Sequence, residues 1–237
     1  MRVAVVQPSY IPWKGYFDLI AAVDHFVLYD DVQYTRRDWR NRNRVKGPDG
    51  PIWLTIPVRT RGAYHQTIDA VEIADPAWAE RHWATLRRLY AGAPCFGSVA
   101  PWLERLFTEA AGDALLVDVC ERFTRAVCAR LGVTTPITRS SELAVDGART
   151  ERLVSVCSRL DATEYLSGPS AREYLDEGLF AAAGIDVAWA DYSDYPEYAQ
   201  LNGPFVHEVT VLDLLLNTGD DAPRHLKHAR VVEGVRS

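Results

Sequence analysis

An α/β fold with a parallel, Rossmann-like sheet is the expectation from this chain, and three observations carry it. Residues 3–6 are a short, mostly β-branched run closed by Gln7-Pro8, and Phe17, Leu19, Ile20 and Val23 then recur at helical spacing. Residues 25–29 supply a second apolar run, so the order is strand, loop, helix, strand, which describes a βαβ unit. After Thr134 short apolar runs again alternate with helical patterns, as the strands and crossovers of a parallel sheet do. A single domain over residues 1–219 is expected, with a β-rich excursion and a helical insertion over about residues 75–132. Residues 220–237 read as a poorly ordered tail.

The elements follow in order. In a parallel pair both strand ends point the same way, so the loop at 7–16 and residues 30–34 should line one crevice. The helix after the loop would add N–H groups and positive potential at its start. Residues 34–46 carry Arg36, Arg37, Arg40, Arg42, Arg44 and Lys46, interleaved with asparagines and aromatics. Such an island is often plain solvated surface, but guanidinium groups beside a crevice grip phosphate or carboxylate bidentately. The turn residues 46–51 lead to a strand at 52–58, placed at an edge by Pro57, and residues 67–73 alternate as a half-exposed strand. Three helices follow: one starting at Asp75-Pro76, one at 101–109, and one capped by Asp113 and stopped at Gly132. His82 reads as a core residue and His65 as surface. A strand at 136–138, a helix at 149–160 capped by Thr150, a strand at 162–166, a helix from Arg172 and a strand at 185–189 restore the α/β rhythm. The turn at 167–171 could hold an anion on its backbone N–H groups. A last helix runs over 209–217.

Composition narrows the classes. A chain of 237 residues that is 48% hydrophobic can bury roughly 70–75% of its unfolded surface without staples. A net charge of −6 argues against coating a long nucleic acid, though not against one basic groove. Cys95, Cys120, Cys128 and Cys157 form no C-x-x-C pair and read as reduced core residues of a cytoplasmic protein. No apolar run approaches the roughly 20 residues that cross a bilayer, and no targeting signal opens the chain. Dinucleotide, Walker A, nucleophile-elbow and zinc-helix motifs are missing, and no metal-ligand spacing is recognisable.

Several stretches together resemble the WbqC-like family, a bacterial group often encoded among surface-polysaccharide and secondary-metabolite genes. They are Gln7-Pro-Ser-Tyr-Ile-Pro-Trp-Lys-Gly-Tyr-Phe17, Asp30-Asp-Val-Gln-Tyr34, Trp39-Arg-Asn-Arg-Asn-Arg44, Trp53-Leu-Thr-Ile-Pro-Val58, Tyr165-Leu-Ser-Gly-Pro169, Tyr198-Ala-Gln200 and Asp213-Leu-Leu-Leu-Asn217. A fainter likeness is the layout of Trp13-Lys-Gly-Tyr16, similar to the His-x-Gly-His loop of nucleotidylyltransferases, with both histidines replaced.

The candidate site follows from these pieces. Gln7, Tyr10, Trp13, Tyr16, Gln33 and Tyr34, with Arg40, Asn41, Arg42 and Asn43, are expected to bind an anionic small-molecule donor such as a nucleotide, phosphosugar or activated acyl group. Ser167 and Gly168 join them through the turn, and Asp191, Tyr198 and Gln200 through the resemblance and the aromatic–acidic run around them. Asp30, Asp31 or His207 is the expected general base, and Lys14 a stabiliser of developing negative charge. The expected activity is a transferase in glycan or natural-product assembly, passing an activated acyl, aminoacyl or nucleotide-linked group to an amine or hydroxyl acceptor. A divergent nucleotidylyltransferase and a non-catalytic nucleotide- or RNA-binding module are the alternatives. A tRNA partner is an alternative that is not favoured, no membrane partner is expected, and no cofactor is assigned.

Overall fold

The computed structural model describes residues 1–63 and 65–229. Among these, the strands are β1 (Arg2–Val6), β2 (His25–Leu28), β3 (Arg42–Gly47), β4 (Gly50–Thr55), β5 (Ile137–Arg139), β6 (Glu164–Ser167) and β7 (Asp186–Trp189). The helices are α1 (Lys14–Ala21), α2 (Trp78–Tyr90), α3 (Phe96–Ala110), α4 (Leu116–Arg130), α5 (Arg149–Arg159), α6 (Glu177–Ala182) and α7 (Val211–Thr218). Five strands make a parallel sheet in the order β5-β2-β1-β6-β7, and β3 pairs with β4 as an antiparallel hairpin. This is the α/β parallel-sheet core the sequence predicts.

Side chains alternate across the sheet, and both faces are apolar. Val3, Val5 and Val27 pack with Val156, Cys157 and Phe180, whereas Ala4, Phe26 and Leu28 join Phe17, Ile20 and Phe123. A strand with a period of two and apolar residues on both sides needs a layer over each face, and helices cover both. The chain leaves β1 for β2 and β5 on one side, then returns to place β6 and β7 on the other. The strand order therefore reverses between β1 and β6. Their carboxyl ends are where an open α/β sheet offers a crevice.

Several element boundaries differ from the sequence reading. The basic island contains a strand of its own, β3, because Asn43 and Val45 are buried while Arg42 and Arg44 alternate outward. Residues 67–73 are not a strand: Ile68–Ala70 is a 3-10 turn. Ile68 and Val71 are both fully buried, and three-residue spacing puts two side chains on one side of such a turn. Pro101 lies inside α3 rather than at its start. Asp113 pairs with Arg122 instead of capping α4, and the Thr150 hydroxyl accepts from the Asp176 N–H instead of capping α5. Residues from 220 onward do not form a loose tail as far as they are described. Gly219–His225 is 3-10, Leu226 is buried, and the N–H groups of Lys227 and His228 both donate to Asp18 Oδ1, at 2.8 and 2.7 Å. Residues 230–237, the rest of the expected tail, lie outside the described residues.

The helical insertion is joined to the β1 loop through a buried pair, Tyr10 Oη and His82 Nδ1, 2.8 Å apart. Burial holds the His82 imidazole down at about 4, against 6.5 for the free group, while a backbone hydrogen bond at Thr55 pulls the other way. The unfolded chain therefore takes up this proton first as pH falls. This contribution is fully present above pH 6.5 and is lost as pH drops towards 4, by roughly 3 kcal/mol. Urea unfolding across that range should record the loss. The non-titrating variant His82→Gln should flatten the profile.

Candidate functional site

A cleft of about 950 Å³ opens outside the carboxyl end of β1, at the reversal of strand order. Three stretches distant in sequence wall it. Gln7, Ser9, Pro12 and Trp13 come from the β1 loop, with Tyr16 from α1. Trp39, Arg40, Asn43 and Arg44 come from the approach to β3 and from the strand itself. Tyr192, Asp194, Tyr195, Glu197, His207 and Glu208 come from the irregular chain between β7 and α7.

The β1 loop is held in a strained shape. Ile11 is fully buried at φ 37°, a conformation β-branched residues avoid. Its neighbours fix it there. The Tyr10 N–H and the Ser9 hydroxyl both donate to the Trp39 carbonyl, at 3.1 and 3.0 Å. Asn43 Nδ2 donates to the Tyr10 carbonyl at 3.0 Å, and the Val211 N–H to the Pro12 carbonyl at 2.9 Å. Two residues beyond Trp13, Gly15 leaves space for the indole: a Cβ there would lie 2.2 Å from the ring. Trp13 thus lies over the first turn of α1 and meets Tyr192 and Tyr195 edge-on, with centroids 5.3 and 5.5 Å away.

The cleft is lined by charge of both signs. Arg40 Nη1 donates to the carbonyls of Gln7 and Pro8, both at 3.4 Å, and Nη2 meets Asp38 at 3.3 Å. Arg44 Nη2 pairs with Glu208 at 2.8 Å, and both line the cleft. Asp194 and Glu197 join Glu208 on the acidic side. His207 packs against the Phe205 ring, with centroids 4.6 Å apart. Burial raises the Tyr16 and Tyr192 phenols above their usual range, Tyr192 to about 12, so both are neutral hydrogen-bonding rings. Among the described residues no group of three or more His, Cys, Asp or Glu could hold a metal ion.

Gln7, Trp13, Tyr16, Arg40, Asn43 and His207 are thus brought together as the sequence suggests. The expectation of a general base at Asp30 or Asp31 gives way, because neither lines the cleft. Asp30 is fully buried and accepts from Ser140 Oγ, the Ser141 N–H and Ser141 Oγ at 3.1, 3.0 and 2.8 Å. Asp31 accepts from Ser140 Oγ at 2.6 Å and pairs with Arg152. The two carboxylates clamp the end of β2 to the turn after β5 and to α5, on the side of β2 away from β1.

Other expected contacts are structural too. Lys14 is buried behind the cleft wall, near the rings of Tyr195, Tyr198 and Phe205, with Nζ donating to the Pro196 carbonyl at 2.6 Å. Burial lowers its ammonium to about 8, against the pull of Glu197 and Asp18. Tyr10 is taken by His82. Tyr34 is buried with its N–H on Gln66, and Gln33 bridges to Thr67. Asn41 Nδ2 donates to the Ile56 carbonyl at 2.8 Å. Arg42 turns away onto the Trp53 ring, 4.2 Å from its centroid. Ser167 and Gly168 end β6 outside the lining, and Asp191 caps a bend through Ser193. The Tyr198 hydroxyl donates to Asp213, and Gln200 Nε2 to the Val206 carbonyl; both shape the third wall without reaching the cleft. The reading above names Arg44 only as one arginine of the basic island and does not single out Trp39, Tyr192, Tyr195, Glu197 or Glu208. Trp39 and Arg44 bracket a quoted motif, and the tyrosines stand in a visible aromatic–acidic run. Glu208 has no sequence signal.

Comparison with known proteins gives the chain its family: it belongs to the WbqC-like protein family, which it matches over residues 7–225. It is 45% identical over 229 residues to the uncharacterized protein Rv1507c of Mycobacterium tuberculosis, an alignment covering 97% of this chain and 99% of that protein. No solved structure matches.

The clamp role of Asp30 is directly testable. Asp30→Ala strands the serine donors of the 140–141 turn and should destabilise the fold by about 3 kcal/mol. Guanidinium unfolding measures it. A variant as stable as wild type would contradict the clamp.

Proposed function

We propose that the protein is a group-transfer enzyme of glycan or natural-product assembly. It takes an activated, anionic donor (acyl, aminoacyl or nucleotide-linked) and passes a group to an amine or hydroxyl acceptor. One observation carries this reading: Arg40 and Arg44 line a single cleft together with His207 and three carboxylates, one of which, Glu208, is paired with Arg44. Guanidinium groups suit the donor's phosphate or carboxylate. The wall of Asp194, Glu197 and Glu208 suits a positively charged amine acceptor. His207 takes the general-base role in place of Asp30 and Asp31, because it is the imidazole on the cleft surface and histidine is the side chain most often used for such proton transfer. Both positions equivalent to nucleotidylyltransferase histidines, Trp13 and Tyr16, are aromatic lining residues, so the site supplies no imidazole pair there.

The engagement of Asp30 and Asp31 in structural hydrogen bonds favours one other reading, a non-catalytic anion-binding module.

Paired measurements separate the two. Arg44→Ala should weaken donor binding by roughly ten- to a hundredfold, the loss of one charge-assisted contact, read by calorimetry. His207→Gln should leave donor affinity within about twofold while lowering product formation about 100- to 10,000-fold, read by mass spectrometry over a panel of donors and acceptors. Tight donor binding without product from any acceptor would favour the binding module.

A further inference from the structure

Trp39, Ile52 and Trp53 are three of the six large apolar side chains that stand exposed among the described residues, and all three belong to the β3–β4 hairpin or the turn leading into it. The hairpin has two unlike faces. Asn43, Val45 and Leu54 point inward and are buried, so the period of two puts Arg42, Arg44, Trp53 and Thr55 on the outward face. Trp53 stands directly opposite Arg44, and Thr55 opposite Arg42.

These outward residues form a ladder. The Arg42 guanidinium lies 4.2 Å from the Trp53 centroid, and that of Arg44 lies 5.7 Å from Trp53 and 5.6 Å from Trp39. The two indoles are 5.3 Å apart at an interplanar angle of 39°. Packing of arginine stems on rings would explain contacts of this kind at any surface. It does not explain why the ladder runs into the cleft: Trp39 and Arg44 are lining residues as well as rungs. Nor does it explain why Trp39 and Trp53 stay 40% and 43% exposed at that mouth. The ligand complementary to adjoining flat rings and guanidinium groups is itself a flat ring carrying phosphate.

We propose that the Trp39–Trp53 ladder is a base-binding subsite, along which a nucleoside diphosphate lies with its base on the indoles and its phosphates on Arg44 and Arg40. This rests on the reading of the cleft as an anionic-donor site and narrows that donor to a nucleotide-linked one. Base–indole stacking tolerates any base, since each has a π-face, so the subsite selects nucleotides as a class. A free nucleotide fits better than an RNA strand. The platform is two rings wide, and a chain of net charge −6 with one basic island neutralises few phosphates.

The test is calorimetric titration of the full chain with UDP, ADP, inorganic pyrophosphate and a short oligouridylate. Wild type should bind both nucleoside diphosphates at least about tenfold more tightly than pyrophosphate, the increment of one stacked base. Trp53→Ala should erase that advantage and leave pyrophosphate affinity unchanged, with thermal unfolding as the check on folding. Trp53→Phe should keep most of the advantage. Equal binding of nucleoside diphosphate and pyrophosphate by wild type, or nucleotide binding unaffected by Trp53→Ala, overturns the subsite. If pyrophosphate binding then still falls in Arg44→Ala, the anionic cleft stands without it. Failure of wild type to bind nucleotide or pyrophosphate overturns both. An oligouridylate binding more than tenfold tighter than UDP overturns the assignment to a free nucleotide.

Discussion

The carbonyl oxygen of Trp39 is the point on which the cleft depends. It accepts hydrogen bonds from the Ser9 hydroxyl and the Tyr10 N–H and so fastens the β1 loop to the strand that carries the arginines. With the Asn43–Tyr10 and Val211–Pro12 bonds, four contacts hold the loop around Ile11. Strain of the kind at Ile11 costs about 1–3 kcal/mol, and four hydrogen bonds at about 1 kcal/mol each offset it. The same seam sets the depth of the site. Trp13 keeps its place against Tyr192 and Tyr195 because the loop cannot relax, and Arg40 braces the Gln7 and Pro8 carbonyls from the other side.

The third wall is irregular chain, and buried polar groups do for it what a strand ladder would otherwise do. Lys14 holds the Pro196 carbonyl, Lys46 holds Gln200 and the Pro204 carbonyl, and Asp213 receives the hydroxyls of Tyr198 and Tyr90. Burial raises the Asp213 carboxyl, and the two tyrosine hydroxyls and Gln200 oppose the shift. Asp18 gathers Tyr195, Lys227 and His228. Breaking such a network leaves a buried polar group unsatisfied, at about 1–3 kcal/mol or more for a charged one. These groups are therefore committed to the fold. On the reading proposed above, proton transfer would fall to the residues on the cleft surface, among them the imidazole at 207 on otherwise irregular chain.

Membership of the WbqC-like family covers nearly the whole chain, so the three walls belong to one inherited unit rather than to an added loop. The unit's own logic is spatial. The arginines come from β3 and the approach to it, after the first strand–helix–strand passage, whereas the acidic residues arrive only after the sheet has been completed at β7. The cleft thus joins the chain that follows β2 to the chain that follows β7.

The sequence by itself determined the sheet and where its loop would open. Short apolar runs such as Val3-Ala-Val-Val6 and Phe26-Val-Leu28 have no polar side to turn to water, so they must be buried on both faces of a parallel sheet. A proline-closed loop after the first of them must then sit at a carboxyl end. The density of arginine over residues 36–44 was legible in the same way. What only the tertiary structure decided is which neighbour each alternating side chain meets. Period two says that Asp30 and Asp31 diverge but not what occupies either side, and it takes the β3–β4 register to put Trp53 opposite Arg44. The serines after β5 and Arg152 of α5 took the aspartates away from the cleft, and Trp39 drew Arg44 towards it. Residues 192–208 became a wall through contacts with residues far earlier in the chain, and long-range packing of that kind leaves no local periodicity to read.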